Sequence, residues 1–251
     1  MLLETLGLSR SFGGVRAVAG VDLVIAPAQV FGLIGPNGAG KTTFVNIVSG
    51  HLRPDAGTVH FAQGDVTGLA PHVLARLGIA RTFQGVRLFK GLTVLENVLV
   101  GRHARMRPDA LRRLWPRGAP DLADREIARS LLDRMGLAAR AGALAGELAY
   151  GDQRRLEIAR ALASEPSLLI LDEPAAGMNP AESGGLQRLM RDLAGNGLTI
   201  LLIEHDVRLV MGACDRVAVL NFGRKIAEGT PAEVQRNPAV REAYLGAEDV
   251  A

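Results

Sequence analysis

Cysteine is nearly absent from this chain of 251 residues. Cys214 stands alone, so an internal disulfide is excluded and a reducing compartment fits. Long apolar runs are missing as well. No stretch approaches the ~20 residues of a membrane-spanning helix, and the clearest apolar run, Leu198 to Ile203, has the length of a buried strand. The opening Met1-Leu2-Leu3-Glu4 lacks a basic segment followed by a long apolar one, so no signal peptide is expected. His51, His60, His72 and His103 show no metal-ligand spacing. There is no internal repeat and no low-complexity linker. A net charge of +3 is too mild to imply a nucleic-acid partner, and none is expected. Lysine is scarce: of 29 basic residues only Lys41, Lys90 and Lys225 are lysines. An arginine-biased chain therefore keeps lysine at position 41.

What is present is an ordinary globular composition, 48% hydrophobic and 22% charged, long enough for one large or two small domains. Val30 to Ile34, Ser167 to Asp172, Leu198 to Glu204 and Val217 to Asn221 read as short buried strands. Asn221-Phe222-Gly223-Arg224 reads as a hairpin turn. Leu186, Leu189, Met190 and Leu193 have helical spacing, as do Ile127, Leu131, Leu132 and Met135, and Leu156, Ala159, Leu162 and Ala163. Buried strands alternating with helices predict an α/β fold with a parallel sheet covered on both faces. The first ~30 residues and Gly57 to Phe61 suggest a small antiparallel layer, and residues 94–164 an inserted helical subdomain. The expected division is a single domain in which 1–87 and 165–251 form the α/β core with its β subdomain, and 88–164 the helical part.

Gly35-Pro36-Asn37-Gly38-Ala39-Gly40-Lys41-Thr42-Thr43 fits the P-loop pattern G-x-x-x-x-G-K-[ST], between a strand and a helix as its chemistry requires. Glycines let successive N–H groups turn toward phosphate oxygens, and the helix N-terminus adds positive potential. Lys41 is expected to reach the β- and γ-phosphates of ATP and Thr42 to ligate Mg²⁺. Leu168 to Glu173 is an apolar strand ending in two acids. Asp172 is the expected Mg²⁺ holder, directly or through water, and Glu173 the general base for the attacking water. His205 follows the next strand and could hold that water in line, although position alone reads more readily as a surface histidine.

Leu148-Ala149-Tyr150-Gly151-Asp152-Gln153-Arg154-Arg155, starting a helix shortly before the Asp-Glu strand, resembles the signature segment of ABC ATPases. With the P-loop and acidic pair, the resemblance covers nearly the whole chain. It implies a RecA-like P-loop NTPase core with an antiparallel β subdomain and a helical signature subdomain. It makes Gln84, in Thr82-Phe83-Gln84, the Q-loop glutamine that senses Mg²⁺ and water, and His205 the switch histidine. Phe12 becomes the aromatic that stacks on adenine, with Val18 as a second apolar contact. Ala149, Gly151 and Gln153 would meet the γ-phosphate in trans, in a head-to-tail dimer with an identical chain or a sister ATPase.

Arg81 to Lys90, Leu92 to Val98, Pro174 to Pro180 and Ala243-Tyr244-Leu245-Gly246 are most similar to ATP-binding subunits of branched-chain amino acid importers. That subfamily implies transmembrane permease partners, indirectly a solute-binding protein, and a peripheral place on the cytoplasmic face of a bacterial-type membrane. Importers of urea or other polar solutes look similar, and the cassette does not set transport direction. A soluble ABC ATPase acting on DNA or ribosomes would carry long coiled coils or tandem cassettes. A P-loop kinase or GTPase would lack the signature segment, Gln84 and His205 together. Two departures stand out: Ala149 replaces the usual signature serine and Asn179 the usual D-loop aspartate. The basic stretch Arg102 to Arg117 reads as a solvated helical face, with lipid headgroups or a partner as its sharper alternative.

Overall fold

The computed structural model describes residues 1–103 and 122–245. Its centre is a six-stranded sheet built from β3 (Val30–Ile34), β6 (Ile79–Arg81), β7 (Leu168–Asp172), β8 (Thr199–Ile203), β9 (Arg216–Asn221) and β10 (Arg224–Gly229). The order is β10-β9-β3-β8-β7-β6, parallel except for the β9–β10 hairpin at one edge. Beside it lies an antiparallel sheet, β2-β1-β4-β5, from β1 (Leu3–Phe12), β2 (Val15–Ile25), β4 (Ala56–Phe61) and β5 (Gly64–Asp65).

Alternate residues of the central strands feed two separate cores, as the two-residue period of a strand dictates. Phe31, Leu33, Ile170, Leu201, Ile203, Ala218 and Leu220 face the antiparallel sheet and helix α1 (Lys41–Val48). Val30, Ile34, Leu169, Leu171, Ile200, Leu202, Val217 and Val219 face the other way. There they meet α3 (Val94–Arg102), α4 (Leu122–Arg134), α5 (Tyr150–Leu162), α6 (Pro180–Gly195) and α7 (Val207–Ala213). Each such Leu, Ile or Val stabilises the fold by about 1.5–3 kcal/mol on burial. The helical segment thus shares one continuous apolar cluster with the parallel sheet instead of enclosing a core of its own. Helices α2 (Pro71–Leu77), α8 (Pro231–Arg236) and α9 (Pro238–Leu245) complete the described α-helices.

Two readings of the sequence change here. Edge strand β6 was not foreseen, because Ile79-Ala80-Arg81 is too short to show a period and ends in a charge. Most of the basic stretch lies outside the described residues, but Arg102 is not a solvated side chain. It is 8% exposed and bonded to Asp124 at 3.0 Å, to the Ala163 carbonyl at 3.3 Å and to Glu165.

Candidate functional site

The P-loop runs from the end of β3 to the first turn of α1, at the carboxyl edge of the parallel sheet. Two glycines are required by geometry. Gly35 has φ +150° and a Cβ there would overlap the Leu220 carbonyl. Gly40 has φ +100° and would overlap the Ala17 carbonyl of β2. Gly223, in the β9–β10 turn, presses on the same Ala17 backbone and its N–H donates to the Ala39 carbonyl at 3.0 Å. The loop is therefore pinned from behind while Asn37 and Gly38 stay open in front.

Lys41 is buried, and its Nζ donates to the Gly35 and Pro36 carbonyls at 2.6 and 3.0 Å. Burial lowers its pKa below the ordinary lysine range, with the Glu173 and Asp172 carboxylates pulling the other way. Thr42 is exposed and Thr43 half-buried at the start of α1.

Asp172 ends β7 and Glu173 begins the loop with φ +48°, a left-handed conformation that a non-glycine residue seldom adopts. Its N–H donates to the Ile203 carbonyl at 2.9 Å. This kink breaks the strand alternation and lets both acids act on Lys41. Gln84 Nε2 donates to Glu173 Oε2 at 2.8 Å. His205 Nδ1 lies 3.9 Å from both Glu173 Oε1 and Glu204 Oε2, with the ring 63% exposed.

Of these groups Gln84, Glu173 and His205 line a cleft of about 1150 Å³, bounded also by Gly35 to Ala39, the β9–β10 turn and α9; Lys41 and Asp172 are not part of its lining. Three of the four residues expected to be catalytic, Gln84, Glu173 and His205, thus meet in the cleft, while Lys41 sits behind it with its Nζ on the carbonyls of the lining residues Gly35 and Pro36. Phe12 ends β1, 44% exposed, with the Arg10 guanidinium 5.1 Å from its ring centre. Val18 does not behave as expected: it is 0% exposed, packed into the core between the sheets, and has no surface to offer a base. The segment Ala149, Gly151, Gln153 starts α5 away from the cleft lining. Ala149 is exposed, and Gly151 packs so closely on Glu182 that a Cβ there would sit 2.8 Å from a carboxylate oxygen. Gln153 turns back onto the Leu148 carbonyl at 2.9 Å.

Three groups escaped the sequence reading. Glu204, 1% exposed, accepts from the N–H groups of Ala175 and His205 at 3.0 and 3.1 Å, tying the loop after Glu173 to the histidine loop. Burial pushes its carboxyl up against those donors. Arg154 and Glu157 form a buried pair on α5, 3.2 Å apart. Arg154 donates to the Phe83 carbonyl at 2.7 Å and to that of Gln84, and Glu157 accepts from the Arg87 N–H at 3.2 Å. Arg154 lies on the stripe Gly151, Arg154, Ile158, so an arginine in register with a buried helical face was the available signal. The third, Arg81, joins Asp172 to α1.

The chain belongs to the ABC transporter family, whose model matches residues 18–176, and its fold is that of an ATP-binding cassette, an α/β P-loop ATPase. A second model, described as branched-chain amino acid ATP-binding cassette transporter, matches residues 224–250. The chain is 46% identical to the high-affinity branched-chain amino acid transport ATP-binding protein LivG of Escherichia coli (strain K12), over 98% of both chains. BraF of Pseudomonas aeruginosa, of the same description, is 45% identical over 98% of both. Among solved structures, an ABC transporter cassette in its ADP conformation superposes with a TM-score of 0.87 at 34% identity, covering 98% of both chains.

Proposed function

We propose that this chain is the ATP-hydrolysing subunit of an importer of branched-chain amino acids. The observation that carries the chemistry is the meeting of Glu173, Gln84 and His205 in one cleft beside a pinned phosphate loop, with Lys41 bonded to that loop and in the field of Glu173. The solute is supported by the likeness to LivG and BraF and by the family segment at 224–250. The higher identity to LivG, 46% against 36%, favours this reading over lipopolysaccharide export, the role named for LptB of Acidithiobacillus ferridurans.

ATP enters with its phosphates over residues 35–43 and its base toward Phe12. Lys41 leaves the Gly35 and Pro36 carbonyls for the β- and γ-phosphates. Mg²⁺ fits the donors present: the exposed Thr42 hydroxyl and Asp172 Oδ1 accept no hydrogen bond among the described residues, and both are hard oxygens. Bound there, the metal would offset charge on the terminal phosphates. Glu173 takes a proton from the attacking water, with His205 and Gln84 orienting it.

Ala149, Gly151 and Gln153 serve the site of a second cassette, identical or sister. Ala149 is exposed, and α5 presents its N-terminus, with its partial positive charge, away from its own cleft. Permease subunits would take up the motion of the segment from Gln84 to Asn97. Those partners would hold the chain at the cytoplasmic face of the membrane and link it to a solute-binding protein, as the transporter names of its relatives suggest; among the described residues no helix is long and apolar enough to cross a membrane.

The test is Glu173→Gln in the chain mixed with its natural counterpart. Turnover should fall 10²–10⁴-fold or so while ATP binding persists and the paired form accumulates on size exclusion. A variant that still turns over at the wild-type rate removes Glu173 as the base.

A further inference from the structure

Arg81 takes no part in the mechanism above, yet its side chain is only 7% exposed and both terminal nitrogens of its fork are engaged, the buried Nε alone having no hydrogen-bond partner. Nη2 donates to Asp172 Oδ2 at 2.8 Å. Nη1 donates to Asn46 Oδ1 at 2.7 Å and Ser49 Oγ at 2.8 Å, in the last turn and C-cap of α1. Its Cζ also lies 5.0 Å from the Phe83 ring centre, next to Gln84. A cation at a helix C-terminus is favourable in itself, so the plain reading is a capping residue. Capping alone would not need the arm that reaches 91 residues along the chain to Asp172.

We propose that Arg81 is the positioning residue for the metal-binding carboxylate: it fixes Asp172 by Oδ2 and leaves Oδ1 as the oxygen for the cation. The inference rests on the Mg-ATP reading of this cleft. A carboxylate can rotate, and a planar guanidinium anchored at its other end to α1 stops that rotation. Because α1 also carries Thr42 in its first turn, the same anchor sets the two metal donors relative to each other. Partners of this kind orient metal ligands, and losing one typically costs 10–100-fold in affinity, an order-of-magnitude figure. Simple electrostatics gives the opposite sign. A fixed positive charge beside a cation site weakens binding, so deleting it would tighten the metal if orientation did not matter.

The experiment measures Mn²⁺, as a paramagnetic stand-in for Mg²⁺, binding to the full chain with ADP by electron paramagnetic resonance. In Arg81→Met the Mn²⁺ dissociation constant should rise about 10–100-fold, with ADP affinity in EDTA within about twofold of wild type. An unchanged or tighter Mn²⁺ constant overturns the proposal. So does an equal loss of ADP affinity in EDTA, which would mean that Arg81 shapes the phosphate loop instead. If Arg81→Met does not fold, Arg81→Lys keeps the charge but not the fork. Its Mn²⁺ constant should rise several-fold, and a wild-type constant overturns the proposal. Wild-type protein that binds no ADP would instead sink the functional reading.

Discussion

Lys41 is held by the loop it serves, and that contact has a pH signature. Its folded pKa is lowered, chiefly by burial. A lowered pKa means a stability contribution that is present above the ordinary lysine range and lost as pH falls through the folded value. At neutral pH the buried ammonium is therefore a cost that the two carbonyls offset only in part. Lys41→Met should make the nucleotide-free protein more stable at pH 7, by about 0.5–2 kcal/mol, and the gap should close as pH rises toward the lysine range. Chemical denaturation of both proteins across that pH span checks this. At this scale the sequence was most readable where the chain makes a pattern: residues 35–39, Gln84, Glu173 and His205 line one cleft, and Asp172 and Glu173 both act on Lys41. It was least readable where one side chain meets a distant backbone. Nothing local to Glu204 or Arg81 announces partners 29 and 91 residues away. Val18 failed because an apolar residue on a strand fits a core or a ligand equally well until the face it takes is known.

Helix α5 is bound to the segment carrying Gln84 by more than packing. Arg154 and Glu157 are both nearly unexposed, and between them they hold the Phe83, Gln84 and Arg87 backbone. Removing one member of a buried pair strands the other charge, whereas replacing both is often close to neutral. Arg154→Met should cost about 3–5 kcal/mol, and adding Glu157→Met should recover most of it. Urea unfolding of the two single variants and the double variant closes the cycle, and additive losses would mean that the pair is not coupled. The double variant should still hydrolyse ATP poorly, since Gln84 has lost its fastening. The long strands and helices were legible because apolar periodicity is set by the core they face. Strand β6 was not, because three residues at a sheet edge carry no period, and it is β6 that delivers Arg81.

Across the whole molecule, the two sheets are joined by an apolar core of side chains, but at the phosphate-loop end backbone meets backbone directly. Gly40 of the phosphate loop and Gly223 of the edge hairpin both lie against the Ala17 backbone. Val15, which pairs with Phe12, belongs to the same strand β2. The α/β core and antiparallel layer foreseen from the sequence are both present, but strand patterns alone did not reveal this joint. It makes the span from Phe12 to the mouth of the loop a rigid gauge, fixed by main chain on main chain. On the proposed placement of the base at Phe12, a ligand would be measured by its length from ring to last phosphorus, and one too short to touch both jaws would gain little from either. ADP at a hundred times its Kd should add about 2.7 kcal/mol to the unfolding free energy. AMP at the same concentration should leave the melting curve where it was.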